Sequence, residues 1–168
     1  LRAQVKLPPL EELAPGFRDL VTDLAYGGIW ARSELAVSDR MICTLSALTL
    51  LQRLPHLRRY IGAALDSEMP PRSIAEVIIQ CGLYGGYPIA ETALEILQEV
   101  LAERRTVLGK DADDTDSLDD LETHGQAIME DLHGAQSKAG YADPDNAFTG
   151  GLYQLAVQFG YGVIWRRP

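Results

Sequence analysis

One helix that must stop and another that must start within four residues limit this chain more than any other feature. Ahead of Tyr84-Gly85-Gly86-Tyr87-Pro88, the apolar residues Ile74, Val77, Ile78, Cys81 and Tyr84 recur at three- and four-residue steps, which gathers them on one helical face. Gly85-Gly86 ends that helix by lifting the steric barrier to left-handed backbone angles, and Pro88 opens the next, because its missing N–H is not needed in a first turn. The predicted corner brings Gln80, Tyr84 and Tyr87 near the start of the following helix, where free backbone N–H groups favour an anion. The same residues also suit a tight turn closed by aromatic packing, and spacing alone leaves both readings open.

The helical period continues along the chain. Leu1 to Pro15 carries three prolines and reads as an extended arm, followed by a helix from about Gly16 to Trp30 with Phe17, Leu20, Leu24 and Tyr26 or Gly27 on its apolar stripe. Ser38 and Asp39 suit the cap of a helix to about Leu54, apolar through Ile42, Leu45, Ala47, Leu48 and Leu51, which predicts the central buried element. A third helix begins at Pro55 and runs to Asp66 with Leu57, Ile61, Ala64 and Leu65 inward, and Pro70-Pro71 separates it from a helix over Arg72 to Tyr84. Pro88 to about Leu108 buries Ala90, Leu94, Leu97 and Leu101, and its row Glu91, Glu95, Glu99, Glu103 faces solvent. Beyond a Gly- and Asp-rich hinge at 109–120, Leu121 to Ala139 forms a helix with Ile128 and Leu132 inward. Asp143-Pro144-Asp145 caps a last one through Leu152, Leu155, Phe159 and Ile164. No stretch alternates with period two, so the fold class is all-α.

Composition narrows function. A chain of 168 residues suffices for one well-buried core and predicts one globular unit. Asp and Glu outnumber Lys and Arg 24 to 15, for a net charge of −9, which argues against a nucleic-acid partner. No apolar run reaches the roughly 18 residues of a membrane span, and no leader opens the chain, so a cytoplasmic protein is expected. Cys43 and Cys81 stand too far apart for a redox pair and lie on apolar faces, which predicts burial; His124 and His133, nine apart, fall on different faces. Nothing points to a metal or an organic cofactor.

The chain also repeats itself. Leu20-Val-Thr-Asp-Leu-Ala-Tyr-Gly-Gly-Ile-Trp-Ala-Arg-Ser33 matches Leu155-Ala-Val-Gln-Phe-Gly-Tyr-Gly-Val-Ile-Trp-Arg-Arg-Pro168 at an offset of 135 residues, the separation of Tyr26 and Tyr161. This is the signature of a tandem duplication; the second match ends at Pro168, the equivalent of Ser33, so either the sequence is part of a longer two-repeat protein or its last helix docks on a neighbouring subunit as the first does on its own.

Tyr26-Gly-Gly-Ile-Trp-Ala-Arg32, Ser38-Asp-Arg40 with Thr44-Leu-Ser-Ala-Leu48, Leu57-Arg58 with Gly62-Ala-Ala-Leu65, Ile74-Ala-Glu-Val77 and Leu83-Tyr84-Gly-Gly-Tyr-Pro88 together resemble the carboxymuconolactone decarboxylase family, whose superfamily includes the alkylhydroperoxidase D proteins. The resemblance implies a compact helical bundle over 16–109, the start of a second such repeat within 110–168, and trimers or hexamers in which helices cross between subunits. It also implies loss of CO2 from a small γ-lactone carboxylate. The departures bear on chemistry. Where the family decarboxylases carry a Glu after the Arg of the second helix, this chain has Met41; where they carry a His beyond the Leu-Arg pair it has Tyr60, and in place of a second His before the corner it has Gln80. The Cys-x-x-Cys of the peroxidases falls on Arg53 and His56, which excludes thiol-based peroxide reduction.

What remains is a set of neutral hydrogen-bonders. His56, in a first helical turn whose positive end favours neutral imidazole, is the replacement general base, and Tyr60, one turn along, can bond a substrate carbonyl. Those two with Gln80 are the candidate catalytic residues, and Met41, Tyr84, Tyr87 and Trp30 the candidate substrate contacts. Two functions fit: a cofactor-independent lyase or isomerase acting on a small cyclic or polyketide-like oxygenated compound, or a non-catalytic ligand-binding or scaffolding oligomer on the same fold.

Overall fold

The computed structural model describes residues 12–109, 116–139, 143 and 145–167. All regular elements among them are helical. Two compact units divide the chain, Leu1–Gly109 and Lys110–Pro168, rather than the single unit that length alone predicts. Most of the expected arm and the middle of the expected hinge lie outside the described residues.

In the first unit, α1 (Phe17–Val21) runs directly into a π-helical stretch (Thr22–Trp30), and α2 (Val37–Leu50), α3 (Leu54–Asp66), α4 (Pro71–Gly85) and α5 (Tyr87–Arg104) form the bundle. Each of the last three has proline in its first turn, where no N–H is lost from the ladder. Their apolar faces meet in one core: Met41 and Leu45 of α2, Leu57, Ile61 and Ala64 of α3, Ile74 and Ile78 of α4, and Ala90, Ala93 and Leu97 of α5. Burying each large aliphatic side chain contributes about 1.5–3 kcal/mol, which is why the three- and four-residue period fixes this part of the fold. The Gly-Gly-x-Pro corner forms as expected. Gly86 adopts φ 96°, open to glycine, and a Cβ on Gly82 would lie 2.9 Å from the Ala90 Cβ, so glycine lets α4 and α5 approach closely. Gln52 braces the corner from the α2–α3 turn, its Nε2 donating to the Thr49 and Ile89 carbonyls at 2.9 and 3.2 Å.

The second unit pairs α6 (Leu118–His133) with α7 (Gly150–Leu155) and a second π-helical stretch (Ala156–Ile164), and a 3-10 turn (Gly134–Lys138) follows α6. Ser117 and Asp120 form a reciprocal capping box at the start of α6. The two helices touch backbone to backbone: a Cβ on Gly125 would stand 2.0 Å from the Val157 carbonyl oxygen, and one on Gly162 2.2 Å from that of Leu121. Tyr153 closes the small core, donating its buried hydroxyl to the Ser137 carbonyl at 2.5 Å.

Several expected faces turn out differently. Of the expected stripe Phe17, Leu20, Leu24 and Tyr26 or Gly27, only Tyr26 is buried, and Thr22 joins it. The i→i+5 bonding of the π stretch widens each turn, so residues four apart, Thr22, Tyr26 and Trp30, share the inward line. In α2 only Met41, Leu45 and Thr49 are buried, so the helix is covered on one side and not all round, and Cys43 is exposed. In α6 the inward residues are Leu121, Gly125 and Met129, not Ile128 and Leu132, because the glycine admits its partner so closely that the contact centres there. α5 stops at Arg104, where Arg105 takes a left-handed angle. The last helix starts at Gly150, after an Asn146 side chain that accepts from the Phe148 and Thr149 N–H groups, and Leu152, Leu155 and Phe159 are exposed. Pro144 of the expected cap is outside the described residues.

Candidate functional site

Tyr60, half-buried on α3, is the centre of the one hydrogen-bonded aromatic cluster described in the first unit. Its hydroxyl lies 3.2 Å from that of Tyr26, and its ring stacks on Trp30 with centroids 6.2 Å apart and planes 26° from parallel. The π stretch makes this possible by setting Tyr26 and Trp30 on one line facing α3. Burial, reinforced by the bond to Tyr26, raises the Tyr60 pKa well above that of a free phenol. Tyr60 therefore keeps its proton throughout the physiological range, and either hydroxyl of the pair can donate to the other.

His56 stands one turn before Tyr60 on α3 and is exposed. Partial burial lowers its pKa, and the neighbouring charges of Arg59 and Arg53 lower it further. Its imidazole is neutral at pH 7. Arg59 of α3 holds its Nε buried without a hydrogen-bond partner, and Arg53 stands at the cap position just before the helix.

Among the described residues, no hydrogen bond or ring contact joins the other expected residues to Tyr60. Met41 is in the core, 2% exposed, at the floor of a hollow of about 460 Å³ walled by Ser38, Asp39, Ser67, Glu68 and Ser73. Gln80 is half-buried on α4, while Tyr84 and Tyr87 at the corner are 66% and 64% exposed. The Cys81 thiol, buried with its sulfur 3.9 Å from the Ser46 carbonyl, has its pKa raised by desolvation and is a packing residue, not a thiolate. Sequence reasoning placed Trp30 and Tyr60 in one site and missed two members. Tyr26 stood on the expected apolar stripe, four residues before Trp30, but not among the candidate site residues, and Arg59 carried no signal beyond its place between His56 and Tyr60.

A model of the carboxymuconolactone decarboxylase family matches residues 15–99. Among curated relatives, a protein of Acinetobacter baylyi named 4-carboxymuconolactone decarboxylase is 27% identical over 97 residues, which cover 58% of this chain and 72% of that protein. A Paracoccus denitrificans protein named only as a 15.0 kDa product of the nqo9-nqo10 intergenic region is 34% identical over 96 residues, covering 56% of this chain and 72% of the relative.

Proposed function

This chain belongs to the carboxymuconolactone decarboxylase family, and from that premise we propose that it is a cofactor-independent enzyme of altered chemistry, acting on a small oxygenated cyclic or polyketide-like substrate at the Tyr60 cluster. The observation that carries the reading is the Tyr26–Tyr60–Trp30 arrangement beside a neutral His56. A ring stacked on Trp30 would have a carbonyl oxygen within reach of Tyr60, and the arginines at 53 and 59 would draw in a carboxylate.

The reaction runs through an enolate. Neutral His56 takes a proton from carbon next to the carbonyl, the electron pair moves toward oxygen, and Tyr60 donates a hydrogen bond to the oxygen as charge gathers there. Return of the proton at another carbon gives isomerisation, and expulsion of a hydroxyl gives dehydration. Where the carbon bears a carboxylate, heterolysis of its C–C bond releases CO2 and leaves the same enolate with no base required, so His56 is dispensable to that first step. Gln80 completes the set as a neutral donor and acceptor, and assembly into trimers or hexamers is part of this proposal.

The test is turnover of 4-carboxymuconolactone, the substrate named for the Acinetobacter relative, and of a panel of cyclic β-keto compounds, followed by CO2 release and absorbance. Turnover that falls at least tenfold in Tyr60→Phe supports the reading. No turnover of any member of the panel, or turnover indifferent to Tyr60→Phe, removes it in favour of a binding protein. Dithiol-dependent peroxide reduction should be absent.

A further inference from the structure

The hollow of about 460 Å³ beside Met41 opens where the first turns of α2 and α4 meet the end of α3, and its volume is that of a small-molecule site. Met41, Ile42, Ala64 and Met69 make its apolar surface, and Asp39 and Glu68 are its charged lining. Acids elsewhere on the bundle are neutralised: Arg58 holds Glu99 and Glu103, and Arg104 holds Asp66. Among the described residues, Asp39 and Glu68 have no such partner. Ser38 and Ser67, also in the lining, have their hydroxyl protons engaged, by the Asp39 carboxylate at 3.5 Å and by the Ala63 carbonyl at 2.9 Å. A serine so engaged offers a ligand a lone pair and not a proton. The amides that draw anions to helix starts are offset here as well. Pro70 and Pro71 bring no N–H to α4, and Asp39 lies in the first turn of α2.

We infer that this hollow binds a primary arylalkylammonium ion, its –NH3+ group held by Asp39 and Glu68 and its ring against Met41 and Met69. A primary ammonium carries three donors, which suits carboxylates and serine oxygens together. Thioether sulfurs make favourable contacts with aromatic rings and adapt to their outline. Glu68 holds φ 61°, a left-handed angle where glycine is the ordinary residue, so its carboxylate stands here at a cost to the backbone. None of Tyr26, Trp30, His56 and Tyr60 lines the hollow, so this ligand is not the substrate proposed for those residues and its binding is read without turnover.

The test is calorimetric titration of the full chain, at pH 7 and physiological ionic strength, with 2-phenylethylammonium, its N-trimethyl analogue, 2-phenylethanol and 3-phenylpropanoate. The primary ammonium is expected to bind one to one and about tenfold tighter than the alcohol, the range of a charge-assisted hydrogen bond, with the trimethyl analogue weaker and the carboxylate not binding. Glu68→Gln should cost about fivefold or more in affinity. Glu68→Gly should cost as much without lowering the urea midpoint, because glycine takes this angle freely, so the lost affinity is not lost fold. Glu91→Gln, on the exposed row of α5, removes the same charge and should change nothing. No binding of the ammonium at millimolar concentration overturns the inference, and so does equal or tighter binding of the alcohol, the carboxylate or the trimethyl analogue. Equal losses in Glu91→Gln and Glu68→Gln would mean attraction to the acidic surface at large and would overturn it too.

Discussion

Residues 20–32 and 155–167 share a sequence pattern, a π-helical stretch and a tyrosine hydrogen bonded across to another helix, yet their tightest contacts are of different kinds. Tyr26 bonds Tyr60 and its neighbour Trp30 stacks on that ring; Tyr161 bonds His133 at 3.1 Å and its neighbour Trp165 stacks on Tyr161 itself. The first copy is anchored by aromatics against α3. The second is anchored by glycines against α6. The same helix pattern is thus closed by side-chain stacking in one copy and by close backbone approach at Gly162 in the other.

The sharpest way to break this comparison is to add one methyl group to each copy. Gly162→Ala places carbon against the Leu121 carbonyl, 2.2 Å away, and a backbone atom cannot move aside without parting the helices. A loss of roughly 3 kcal/mol is expected, at the upper end of overpacking costs. Gly27→Ala, with open space, should gain about 0.5–1 kcal/mol from reduced freedom of the unfolded chain. Urea denaturation of the two variants with an unchanged m-value measures both. Equal effects would mean that the two glycines are not different in kind.

Tyr60 and Tyr161 provide the next contrast. Tyr60→Phe removes a donor from a half-buried pair and should lower turnover tenfold or more, equivalent to about 1.4 kcal/mol of transition-state binding. Tyr161→Phe, whose partner His133 is exposed, should leave turnover unchanged and shift stability by less than about 0.5 kcal/mol. Tyr153→Phe lies between, costing about 1 kcal/mol, because the Ser137 carbonyl then loses its buried donor.

These contrasts also mark what could be read from the residues. The bundle from α2 to α5 was legible because its apolar side chains follow the α-helical period and because Gly85-Gly86 and Pro88 act locally, through backbone sterics. The inward face of the repeat helix was not. An α-helical period selects Phe17, Leu20 and Leu24 with Tyr26 or Gly27, whereas the π stretch buries Thr22 with Tyr26 and leaves the first three exposed, a shift that no one-dimensional pattern announces. α6 misled for a related reason: Gly125 counts against a helix in propensity, but here it is the point of closest contact. At the site, Trp30 and Tyr60 were paired through family resemblance. The Tyr26 hydroxyl bond and the arginine pressure on His56 needed coordinates, because both join side chains through space.

The smallest expected effect is a slope. The folded chain holds His56 below its ordinary pKa, mainly by desolvation and then through Arg59 and Arg53, whereas the unfolded chain titrates it near 6.5. Below that pH the unfolded state binds a proton that the folded state refuses, so stability present above about 6.5 is lost as pH falls toward the folded pKa. His56 is exposed, and solvent screening keeps the effect modest. His56→Gln should flatten this part of the stability profile from pH 7 downward while leaving the profile above 7 unchanged, measured by urea denaturation at fixed ionic strength. Raising salt should do the same to the wild type in part, because it weakens the arginine contribution and not the desolvation. An unchanged slope in His56→Gln would mean that neither desolvation nor Arg59 and Arg53 hold the imidazole below its ordinary pKa, and the base proposed for the first unit would lose the physical reason for its neutrality.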